Sequence, residues 1–254
     1  MSSVFLWWII ILLIKIFTTE IPTYGLQLRT TDRIIQGIIY LIMLSFCLIM
    51  ALKLFKKFKS RRSDVTLILM MYFVFSSMAS FLQGFFSVFE FKVREFQVFF
   101  TDTAFLFITF ANLALSFFII EVFNKGLDKK KNKIIFAIVS AIVIIANIFL
   151  TKNTISSASS IEVLLPMAFS IVVTLWLYFL LIKKSFNLSN RVEGEINKKA
   201  FKIIGVSGIL LISAYLLLVI EELIDISGLR YLNAISFILG YYFFYKGFVL
   251  PMNK

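Results

Sequence analysis

The sequence predicts an all-α, polytopic membrane protein: a bundle of about seven transmembrane helices, preceded by a short N-terminal hydrophobic helix. Three observations lead there. Sixty per cent of the 254 residues are apolar and the mean hydropathy is +0.95, against roughly 45–50% apolar residues in a soluble domain. The apolar residues run in long unbroken stretches, not in the short alternating strands of a membrane β-barrel. The Lys and Arg residues collect in alternate connecting segments, as they do when successive connections lie on opposite sides of a bilayer.

A helix needs about 20 apolar residues to cross roughly 30 Å of hydrocarbon. The stretches that qualify are 34–52, 65–89, 103–123, 134–150, 163–182, 203–220 and 231–250, spans one to seven. The stretch Val4–Phe17 is shorter, opens near two Trp and contains Lys15. It reads as a signal peptide, an eighth span or an interfacial helix. The absence of a preceding basic residue and of a small-x-small cleavage site favours its retention. The chain divides into an N-terminal hydrophobic segment with an outer linker, 1–33, and a seven-helix domain, 34–254.

Orientation follows from the connections. Those after spans one, three and five carry runs such as Lys56-Lys57, Lys129-Lys130-Lys131 and Lys198-Lys199. With Lys246 and Lys254, one side holds nineteen of the 26 basic residues. That side is predicted to be cytoplasmic, with the segment before residue 34 outside, the C-terminus inside and the cell membrane as location. The net charge of +12 is therefore a topological asymmetry, and no nucleic-acid partner is expected. The expected partners are the bilayer itself, anionic lipid headgroups at the inner basic loops and a cytoplasmic protein.

The chain has no His and one Cys, Cys47. This excludes imidazole chemistry, an intrachain disulfide and thiolate metal clusters; no metal and no cofactor is expected. Cys47 lies in span one and is expected to pack as a small apolar residue. Without a paired carboxylate deep in the spans, no acid–base constellation is visible and no enzymatic activity is predicted.

Polar residues in hydrocarbon normally face the bundle or a cavity. In span three Asp102, Thr109, Asn112 and Ser116 fall within roughly an 80° arc at 100° per residue. In span two Ser76, Ser80, Gln83 and Ser87 repeat at four, three and four residues. In span five Pro166, Ser170, Thr174 and Tyr178 form a drifting stripe, and in span seven Asn233, Ser236, Gly240 and Gly247 repeat at three, four and seven. Any packed bundle uses such stripes. Their functional reading is an outward-opening polar cavity with Asp102, Thr109, Asn112, Ser116 and Gln83 as candidate ligand-binding residues. Glu121, near the inner end of span three, is expected to pair with a loop Lys. The run Tyr241-Tyr242-Phe243-Phe244-Tyr245 is expected to serve as interfacial belt and packing, and the run Glu221, Glu222 and Asp225 as a solvated outer loop.

Seven spans with Lys246 in the last, Asp102 opening the third and Ser213-Ala214-Tyr215 in the sixth resemble microbial rhodopsins at those positions. That family's pattern departs where Ile212, Leu216 and Tyr242 stand for its Trp, Pro and Asp. Retinal on Lys246 is therefore not expected. The plan also resembles seven-helix sensory membrane modules in architecture alone. Short outer loops and three basic inner loops predict a receptor- or sensor-like bundle; a small transporter or channel, or a structural membrane subunit, is the alternative.

Overall fold

The computed structural model describes residues 26–28, 31–91, 94–123, 128–154, 160–224 and 227–253; side chains are described within 34–85, 103–123, 129–142, 171–217 and 231–251 and at a few positions between. The stretch Val4–Phe17 lies outside the described residues, as do the side chains of Asp102, Glu221 and Glu222 and all of Asp225.

Among the described residues the chain forms β1 (Leu26–Leu28), α1 (Thr31–Arg61), α2 (Asp64–Val88), β2 (Phe89–Phe91), α3 (Arg94–Phe123), α4 (Asp128–Thr154), α5 (Ser160–Ser189), α6 (Glu195–Ile224) and α7 (Ser227–Val249), closed by a 3₁₀ turn, Leu250–Asn253. Each helix contains one of the predicted spans or nearly all of it. Among the described residues five stretches are long and apolar enough to cross a membrane: Ile34–Arg61, Asp64–Phe85, Thr103–Phe123, Ile171–Ser189 and Glu195–Leu217. They correspond to spans one, two, three, five and six. The protein is thus a helical membrane protein.

Helices form here because lipid offers no partner for backbone N–H and C=O groups, so each segment must satisfy its own. The helices run past the apolar stretches into the connections. α1 continues through Lys53, Lys56, Lys57 and Lys59 to Arg61. It stops at Arg62, which takes a left-handed φ of 45°, a conformation costing about 1 kcal/mol in a non-glycine residue. Ser63 then accepts from Leu67 N at 3.1 Å with its carbonyl oxygen, and Asp64 sits in the first turn of α2, where a carboxylate meets the positive end of the helix dipole. Before α6 the same office falls to Gly194, at φ 88°, whose carbonyl accepts from Lys198 N at 3.1 Å.

The two short strands are an addition to the all-helical expectation. β1 and β2 pair antiparallel, with Leu26 opposite Phe91, Gln27 opposite Glu90 and Leu28 opposite Phe89. Leu-Gln-Leu and Phe-Glu-Phe each alternate apolar and polar residues, the period of a strand. Because α1 and α2 are antiparallel neighbours, the start of one and the end of the other meet at the same end of the bundle.

Helix neighbours follow chain order from α1 to α7, α3 also touches α5, and contact between α1 and α7 closes the ring. Small residues set the closest crossings. At the α1–α2 crossing, a Cβ on Gly84 would stand 3.0 Å from the Tyr40 Cβ and 3.2 Å from the Gly37 carbonyl. The core runs along the bundle axis through Leu54, Leu69, Phe73, Leu115, Phe118, Leu211 and Phe244, all fully buried. Cys47 is buried there too and makes no disulfide, packing as a small apolar residue. Outward, α4 exposes Ile134, Ile138, Ile142 and Ile145, and α1 exposes Ile38, Ile42, Ile49 and Leu52, the apolar surface that a bilayer covers.

Candidate functional site

At mid-height the axial core opens into a small cavity whose described lining residues come from six helices, α1, α2, α3, α5, α6 and α7. It has about 30 Å³ of room for the centres of water-sized groups, enough for about two waters. Tyr72, Tyr178, Tyr215 and Tyr241 supply four phenols, from α2, α5, α6 and α7; Ser76, Ser80 and Gln83 of α2 and Asn112 of α3 add the remaining polar groups. Among the described lining residues there is no Asp, Glu, Lys or Arg.

Hydrogen bonds cross between helices at this level. The hydroxyls of Tyr72 and Tyr178 lie 2.7 Å apart, joining α2 to α5, and either can donate. Asn112 Nδ2 donates to Thr174 Oγ1 at 2.7 Å, joining α3 to the same α5. The Ser76 side chain is a hydrogen-bond partner of Tyr241, and Ser80 Oγ donates to the Ser76 carbonyl at 2.9 Å. Rings complete the wall: Tyr215 meets Phe237 edge-on at 5.0 Å, and Tyr72 meets Phe244 edge-on at 5.5 Å, arrangements worth about 0.5–1.5 kcal/mol each beyond area burial.

Of the five residues singled out in the sequence, the structure brings Asn112 and Gln83 to this cavity. Thr109 and Ser116 are buried on the same face of α3, but their hydroxyls turn back to their own helix, onto the carbonyls of Phe105 at 2.9 Å and Leu113 at 2.7 Å, and they do not line it. Asp102 lies in the first third of α3 with its side chain outside the described set.

The tyrosines were the residues that sequence reasoning missed as site residues. Tyr241 belongs to the run expected as interfacial belt, yet it is 5% exposed while its neighbour Tyr242 is 40% exposed. Successive helical residues step by 100°, so one aromatic run serves both core and surface. The available signal was that Tyr241 shares a face with Phe237, Phe244 and Phe248, at helical spacings of four, three and four.

Glu121 pairs with both Lys129 and Lys133, tying the end of α3 to the start of α4, as its position suggested. Lys246 is exposed near the end of α7, its ammonium 5.6 Å from the centre of the Tyr242 ring. Ile235 and Leu239, on the same face, are also exposed. This is the arrangement of a snorkelling lysine. Compared with models of known protein families, with curated proteins and with solved structures, the chain matches none.

Proposed function

We propose that this chain is a receptor- or sensor-like protein of the cell membrane, in which seven helices, spans four and seven included, relay a change on the outer side to a protein partner at the basic inner face. The orientation rests on the charge asymmetry of the connections. The observation that carries the relay is the central cavity, whose hydrogen-bonding groups come from five helices, α2, α3, α5, α6 and α7. Buried polar networks of this kind have discrete arrangements: moving one helix exchanges bonds on its neighbours. α5 is the natural hub, since it accepts partners from both α2 and α3 at once.

The lining also weighs against the other readings. Ion and charged-solute pathways are ordinarily marked by ionisable side chains inside the membrane, and the described residues of this lining are neutral.

Spin labels at Lys130 and Lys199, both exposed, introduced as cysteines in a Cys47→Ser background, test the reading. The inter-label distance distribution is expected to shift in Tyr72→Phe and in Asn112→Leu, because the inner ends follow the central bonds. Solute and ion leakage from liposomes holding the protein is expected to match that of empty liposomes. An unchanged distribution in both variants would sink the relay, and flux abolished by Asn112→Leu would put a transporter in its place.

A further inference from the structure

A second, smaller cavity lies in the seam between α1 and α7 and is lined by Gln36 and Tyr40 of α1 and by Asn233 and Ala234 of α7, with Met43 and Phe237 shared with the central cavity. Asn233 is 4% exposed, and its side-chain carbonyl oxygen, Oδ1, has no hydrogen-bond partner. A buried carbonyl lacking a donor is rare, and such a group normally marks a ligand or water the protein expects.

We propose that this seam binds the hydroxyl group of an uncharged membrane-dissolved amphiphile, which donates to the Asn233 carbonyl oxygen. Four observations specify that occupant. The missing partner is a donor. The room is about 10 Å³ for water-sized centres, which admits one hydroxyl and nothing larger. No described residue lining the seam is ionised, so a charged headgroup finds no partner among them. Depth and rim supply the fourth: Asn233 lies six residues into α7, about 9 Å from its start at 1.5 Å per residue, near the level where amphiphile hydroxyls sit. On either side of the seam α1 exposes Ile38 and Ile42, and α7 exposes Leu232 and Ile235, an apolar rim along which an alkyl chain can lie. The site stands whether or not the bundle relays a signal.

Photolabelling of the protein reconstituted in phosphatidylcholine nanodiscs decides it. The probe is a long-chain alcohol carrying a diazirine near its hydroxyl, competed with 1-dodecanol or with dodecane. Label is expected in peptides covering 34–43 and 231–239, displaced by dodecanol and not by dodecane, and reduced at least tenfold in Asn233→Leu. Ser185→Ala, in a buried position remote along α5, is expected to label like the wild type. Ala234→Val leaves the amide in place and fills the seam with methyl groups; it is expected to lose label as well and covers the case in which Asn233→Leu does not fold. Equal displacement by dodecane, or label retained in these variants, would overturn the proposal. Absence of specific label would assign the Asn233 oxygen to a water and overturn it equally.

Discussion

The bond from Asn112 Nδ2 to Thr174 Oγ1, 2.7 Å long and buried between α3 and α5, allows the most direct test of the central site. Asn112→Leu removes the donor while keeping the branching at Cγ. Thr174→Val removes the acceptor while keeping the branched shape. Interhelical hydrogen bonds in membranes are worth about 0.6–2 kcal/mol, because the unfolded chain in the bilayer also finds partners. Both groups here are nearly or fully inaccessible, at 6% and 0% exposure, which places the coupling in the upper half of that range, at about 1–2 kcal/mol. A coupling of that size changes the folded-to-unfolded ratio by a factor of about 5 to 30. The assay is a double-mutant cycle on unfolding in mixed micelles, with Leu113→Ala as a reference, since Leu113 is a half-buried neighbour on α3. Asn112→Leu is expected to destabilise more than Leu113→Ala. The two site variants together are expected to cost less than the sum of their separate effects, by the coupling energy. Additive effects would refute the bond as a stabilising link, and with it α5 as the hub of the cavity.

Tyr72→Phe deletes one hydroxyl of the pair with Tyr178 and is expected to cost about 1 kcal/mol, measured in the same micelles; a neutral result would mean that the phenols do not hold α2 to α5. Single cysteines in a Cys47→Ser background should label with an impermeant maleimide from outside at position 152 and not at 130, and outside labelling at 130 would reverse the proposed orientation. Addition of all-trans retinal to the purified protein is expected to give no visible absorption band. A band that vanishes in Lys246→Ala would show that the lysine reaches a pocket after all.

Much of the helical plan was legible because lipid imposes it locally. Apolar stretches of span length must be helical in hydrocarbon, and the stretches read from sequence map onto α1 to α7 one by one. Polar stripes on α3 and α7 likewise pointed inward: Thr109, Asn112, Ser116 and Asn233 are all buried, since burial against other helices is the less costly place for a polar side chain. The β1–β2 pair was present as a brief alternation in Leu26–Leu28 and Phe89–Phe91, but three residues are too few to stand out beside long apolar runs.

Sequence alone determined which segments are helical and which faces are polar, because both follow from interactions within a few residues of the chain. It could not determine which polar groups would meet. A Ser or Thr hydroxyl can be satisfied by a carbonyl three or four residues back on its own helix, and Thr109 and Ser116 take that course. The longer Asn112 amide and the Tyr72 phenol reach instead across to α5, to residues 62 and 106 positions away. Whether a side chain closes on its own backbone or on a neighbouring helix depends on the distance and rotation of that neighbour. Those are set by where glycines such as Gly37 and Gly84 let backbones approach, and so only the assembled bundle decides that Asn112, Gln83 and four tyrosines share one cavity.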